Sequence, residues 1–187
     1  QMCIRDREGL SYGYPMSTVS AHVSACPNHQ TLRVTPLSTR FNVAAFGICG
    51  YECNLVDMSR AEKSEIKTQI DIYKKWRHAM QFGSFYRQRT GNIHQWTVVD
   101  EEAGRAVGLI MQELVRANTQ NEEYYAAGLD PEAVYSFYNR PLKHNVKEFG
   151  DLINTVAPIH IRQGSLLHGM VAKFVTMPGE TEKYELS

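Results

Sequence analysis

The sequence predicts two kinds of structure in succession: an α/β segment, then an all-β module folded as an antiparallel β-sandwich. Three observations carry that reading. An extended run, a polar turn and a helical stretch follow one another between Tyr14 and Gly50, the order of one βα unit. A long capped helix spans Ser59 to Gln81. After Gly83 the helical spacing gives way to short β-rich runs separated by turn residues.

The extended run alternates Met16, Val19, Ala21, Val23 and Ala25 with Ser17, Ser20, His22 and Ser24. It ends in a polar turn, Cys26-Pro27-Asn28-His29-Gln30. Thr35-Pro36 then starts a short helix to about Phe46, with threonine to cap the open amides and proline suited to the first turn. Leu37, Phe41, Ala44 and Ala45 fall near helical spacing. Gly47 and Gly50 are expected to bound a turn.

Ser59 and Glu62, three residues apart, form a capping box. Behind it Ile66, Ile70, Tyr73, Arg77 and Met80 are expected to share one face, with Trp76 beside them. Gly83 is the stop. The β-rich runs are Phe85–Gln88, Ile93–Val99, Ala106–Val115, Tyr124–Ala126, Val134–Tyr138, Pro158–Ile161 and His168–Thr176. Turns fall at Thr90-Gly91-Asn92, Glu102-Ala103-Gly104, Asp130-Pro131 and Gln163-Gly164. Strands every ~8–12 residues indicate a small antiparallel sandwich.

Composition narrows the function classes. In 187 residues, 43% are hydrophobic and 21% charged, and 20 basic residues balance 20 acidic ones. No net field therefore favours nucleic acid or an anionic membrane. No apolar run approaches the ~20 residues that span a bilayer, and no secretory signal opens the chain. Four cysteines in a chain this well supplied with apolar residues are expected to be free thiols, in a cytoplasmic protein. Residues 1–8 stand apart. Gln1 to Arg7 puts three charges into four residues without periodicity, and it resembles translated sequencing-adapter read-through. The expectation is a non-native leader outside the fold.

The run from Tyr14 through Arg33 to Gly50 also resembles the last barrel strand and following helix of bacterial α-galactosidases, family 36 of the glycoside hydrolases. Ser59–Gly83, Gly128-Leu129-Asp130-Pro131 and Met177-Pro178-Gly179-Glu180 resemble that family's C-terminal quarter. The resemblance implies the terminal strand–helix portion of a (β/α)8 barrel in residues 9–83 and a C-terminal β domain in 84–187. It implies a parent enzyme that removes terminal α-galactose from raffinose- or melibiose-type oligosaccharides, retains configuration, needs no cofactor and is a homo-oligomer.

Retaining hydrolysis needs two carboxylates ~5 Å apart. The family's Lys-Trp-Asp and Ser-Asp motifs are absent; Lys75-Trp76-Arg77 puts arginine where the carboxylate belongs. Asp57, Asp71, Asp100, Asp130 and Asp151 sit at caps, turns or exposed faces. No catalytic residue is therefore assigned, and the chain alone is expected to be inactive. His22, Ser24, Asn28 and His29 are the candidates for a sugar pocket, against a purely local role in tying the strand end to its loop.

Two other chemistries are open to these residue types. Cys26-x-x-His29 with Cys49-x-x-x-Cys53 has zinc-like spacing, but buried cysteine is commonly a small hydrophobe, so no metal is assigned. Cys26 with His29 as a nucleophile pair is weaker, the two being close in sequence. The aromatics Phe85, Tyr86, Trp96, Tyr124, Tyr125, Tyr135, Phe137 and Tyr138 belong either to the core or to a sugar-stacking platform. The second option makes this a stand-alone carbohydrate-binding or assembly module.

Overall fold

The computed structural model of the chain describes residues 2–29, 32, 34–91, 93–112, 122–130, 134–139, 159–161 and 170–177. The chain divides into two units, Gln1–Phe82 and Gly83–Ser187.

The first unit holds a strand–helix–strand motif. Strand β1 (Ser20–Ser24) leads through helix α2 (Leu37–Ala44) to a second strand, β2 (Ile48–Glu52). The strands pair in parallel, Ser20 opposite Ile48 and Ser24 opposite Glu52. The expected turn between Gly47 and Gly50 is thus corrected to a strand, and the single strand–helix portion to one with two strands. The physical reason lies in Gly47. Its φ of 136° turns the chain, and a Cβ there would sit 2.7 Å from the Val19 carbonyl oxygen. Glycine lets the backbone come close enough for Ile48 N to donate to that oxygen at 2.9 Å. Gly50 lies inside the strand.

Alternation then sorts the side chains. Ala21 and Val23 are buried with Met16 and Val19, while Ser20 and His22 are exposed; Ala25 is exposed too. Met16 belongs to a 3-10 turn, Met16–Thr18, ahead of the strand. Helix α2 is buried on nearly every side: Leu37, Thr39, Phe41, Asn42, Val43 and Ala44 are all inside. Its N-cap is Pro36, without a side-chain cap bond. The expected threonine cap is not used; the Thr35 carbonyl instead accepts from Arg40 Nε at 3.0 Å.

Residues set aside as a leader are structured. Helix α1 spans Met2–Leu10, with Ile4 and Arg7 buried. Its own sequence is a poor amphipathic pattern, and tertiary contact supplies what periodicity does not. Arg7 Nη1 donates to the Val43 carbonyl at the end of α2.

Helix α3 (Arg60–Phe82) carries the predicted capping box. Ser59 N and Oγ donate to Glu62 Oε2 at 2.9 and 2.8 Å, and Glu62 N donates back to Ser59 Oγ at 3.2 Å. The buried stripe is rotated from the expected one. Ile66, Gln69, Trp76, Ala79 and Met80 are inside, Ile70 and Tyr73 are half-buried, and Arg77 is exposed. Gln69 is tolerated there because Tyr51 Oη donates to its Oε1 at 2.8 Å.

The second unit is antiparallel. Strands β3 (Ser84–Thr90), β4 (Ile93–Asp100), β5 (Arg105–Gln112), β7 (Val134–Asn139) and β9 (Met170–Met177) form one sheet in the order β3-β4-β5-β9-β7. A separate two-stranded ladder joins β6 (Glu122–Tyr124) to β8 (Ile159–Ile161). Thr90 opposite Ile93 and Asp100 opposite Arg105 fix the two hairpins at the predicted turns, with Gly91 and Gly104 at positive φ. All eight residues of β4 are buried, so the sheet is covered on both faces there. On one of them Tyr124 Oη meets Thr97 Oγ1 at 2.6 Å and donates to the Trp96 carbonyl at 3.2 Å. Trp96 and Tyr124 therefore belong to the core. Phe85 packs edge-on against Trp96 with 5.7 Å between centroids, and Tyr86 and Tyr125 are exposed. The Tyr135, Phe137 and Tyr138 side chains, Asp151, the Gln163-Gly164 turn and the Pro178–Glu180 part of the family stretch lie outside the described residues.

Candidate functional site

The parallel pair puts one polar face and one C-terminal rim into reach. Because side chains alternate, Ser20, His22 and Ser24 of β1 share a face with Ile48, Gly50 and Glu52 of β2. The reverse face, Ala21 and Val23, packs toward α2. In α/β barrels ligands meet the C-terminal ends of the strands, here Ser24 with its following loop and Glu52.

Two predicted residues are placed on this face. His22 Nε2 lies 3.1 Å from Glu52 Oε2. A carboxylate can only accept, so the imidazole donates. The Ser24 carbonyl accepts from Arg40 Nη1. With its Nε on Thr35, Arg40 ties together the two ends of the loop that carries the other two candidates. Asn28 is half-buried and its carbonyl accepts from Leu32 N at 2.8 Å, where Leu32 adopts φ 54°. His29 is exposed in the same turn.

Glu52 is the residue that sequence reasoning missed. The available signal was the alternation of Ile48-Cys49-Gly50-Tyr51-Glu52, obscured because two glycines in four residues suggest a turn.

Cys26, Cys49 and Cys53 are free thiols. Among the described residues no group of three or more His, Cys, Asp or Glu side chains comes together to hold a metal ion. Burial pushes the Cys49 thiol up to about 11, with the Arg7 charge opposing. A pocket of about 420 Å³ lies beside Cys49, lined also by Tyr73, Arg77, His78 and Phe82. Its central polar group is already saturated. Tyr73 Oη donates to the Gly47 carbonyl at 2.6 Å and accepts from Cys49 N at 3.0 Å and Gln81 Nε2 at 2.6 Å. That arrangement anchors α3 to the start of β2.

Comparison with known proteins identifies the frame. The family model described as Melibiase matches residues 4–83, and that described as the glycosyl hydrolase family 36 C-terminal domain matches residues 93–172. The chain belongs to glycoside hydrolase family 36. The α-galactosidase Mel36A of Lactobacillus acidophilus is 38% identical over 129 residues, which is 68% of this chain and 18% of that protein. The bifunctional α-galactosidase/sucrose kinase AgaSK of Mediterraneibacter gnavus is 40% identical over 134 residues, 70% of this chain and 14% of that protein. Among solved family 36 structures, the α-galactosidase AgaA of Geobacillus stearothermophilus in complex with raffinose superposes with a TM-score of 0.83 at 30% identity. That superposition covers 94% of this chain and 24% of the other. The chain thus spans less than a quarter of the length of these family 36 relatives. The Melibiase match begins at residue 4, inside helix α1.

Proposed function

We propose that this chain is one part of a retaining α-galactosidase, in which it forms pocket wall and scaffold rather than the reacting groups. Residues 9–83 serve as the end of the catalytic barrel, packed on α1, and residues 84–187 as a C-terminal β-sandwich domain. The substrates are terminal α-galactosides of the raffinose or melibiose type, as the raffinose complex of the AgaA relative suggests. The carrying observation is the polar face of the parallel pair, which bears His22 and whose C-terminal rim holds Ser24 and a single carboxylate, Glu52. Retaining chemistry through a covalent galactosyl-enzyme requires two carboxyl groups about 5–5.5 Å apart. The nucleophile and the acid/base are therefore assigned to the rest of the enzyme, and the chain alone does not turn over. It needs no cofactor.

Exposed apolar side chains of the first unit support a larger assembly. Tyr12, Leu32 and Val56 are 72%, 76% and 82% exposed, and Tyr14 and Val34 are also open; in the complete enzyme such groups would seat against the remaining barrel or a second subunit. We place that homo-oligomer in the cytoplasm; among the described residues no helix is long and apolar enough to cross a membrane.

The test is to join this chain to the upstream barrel of a family 36 relative and follow raffinose by proton NMR. Galactose released first as the α-anomer supports the reading; release as the β-anomer, or none from a folded assembly, contradicts it.

A further inference from the structure

Glu52 stands out on the polar face of the strand pair. It is the last residue of β2, opposite Ser24 in register, and the one carboxylate among the six residues of that face. Its side chain is 75% exposed and that of His22 51%, while Val23 on the reverse face is fully buried. Across the two strands the carboxylate and the imidazole thus meet at 3.1 Å.

The chemistry of the pair points to a ligand that donates hydrogen bonds. An ionised carboxylate offers roughly four acceptor positions, and the His22 contact uses one. Vicinal sugar hydroxyls are neutral donors spaced to meet both oxygens of such a group. A side chain at the C-terminal end of a barrel strand, on the face turned away from the helices, is where a substrate is met. His22, two residues before the strand end, fixes the carboxylate from the side.

We propose that Glu52 is a substrate-binding residue that accepts hydrogen bonds from the hydroxyls of the terminal galactose, with His22 as its positioning residue. The inference rests on the functional reading above. It gives Glu52 no part in bond cleavage: it is a binding group, present equally in the ground and transition states.

The experiment uses the full-length assembly of this chain with the upstream barrel of the Lactobacillus acidophilus relative. Glu52→Gln is expected to raise KM for raffinose roughly tenfold or more, as expected for loss of a hydrogen bond to a charged acceptor. It should leave kcat within about twofold, the signature of lost uniform binding. Inhibition by free galactose should weaken in step, and His22→Ala should give a smaller rise of the same kind. Glu52→Asp, which keeps the charge, should recover part of the loss, and carries the test if Glu52→Gln fails to fold. Unchanged KM with a lowered melting temperature would make the pair structural and overturn the proposal. An inactive unsubstituted assembly contradicts the functional reading itself, and this inference with it.

Discussion

Gly47 enters β2 at φ 136° with no room for a side chain in front of the Val19 carbonyl. Gly47→Ala is therefore expected to cost about 1–3 kcal/mol from strained backbone, read as a lower denaturation midpoint of the first unit. Equal stability would show that the strand junction relaxes freely. Tyr73 makes a second local prediction. Its hydroxyl satisfies the Gly47 carbonyl and the Cys49 amide together, so Tyr73→Phe should destabilise by roughly 1–3 kcal/mol. Faster hydrogen exchange at the Cys49 amide would mark the site of the loss. Thiol labelling separates the cysteines. Burial raises the Cys49 thiol to about 11, and only a thiolate attacks. At pH 8 an alkylating reagent should modify exposed Cys26 well before Cys49; equal rates would contradict the burial of Cys49.

Among the elements, α3 rests on its cap. Ser59→Ala should lower stability by about 1 kcal/mol, read by chemical denaturation, and an unchanged midpoint would show the cap to be dispensable. Hydrogen bonds from the Ser59 side chain and backbone hold the Glu62 carboxyl below its ordinary value. A depressed carboxylate stabilises above its unfolded pKa and loses that contribution as pH falls through the folded one. The difference between Ser59→Ala and the parent should therefore be present at neutral pH and shrink on acidification. This helix was legible from sequence because Ser59 and Glu62 announce it and its length outweighs local noise. The hairpins were legible because Gly91 and Gly104 punctuate alternating runs. Strand β2 was not, since five residues with a central glycine carry little signal, and a parallel partner is set by tertiary contact. Its misreading hid Glu52. Helix α1 was hidden for a related reason: Arg7 reaches Val43, far along the chain, and no local period records that. The stripe of α3 came out rotated because Gln69 is buried by its bond to Tyr51, whereas Arg77 keeps its charge in water.

At the scale of the whole molecule, one strand pair cannot close a barrel. Parallel sheets are ordinarily covered on both faces, yet the face bearing His22 and Glu52 is open. The family 36 relatives supply three quarters or more of additional length. On the proposed function, further barrel strands and the two reacting carboxylates belong to that remaining portion. The β unit has a fully buried interior strand of its own, β4.

The most direct test of that central claim is galactose release by the purified chain alone, followed with an aryl α-galactoside at high protein concentration. The account predicts no release above the uncatalysed rate, with activity appearing once the upstream barrel is joined. Hydrolysis that scales with the concentration of the chain alone and disappears in Glu52→Gln would contradict it, and would place the chemistry on this strand pair.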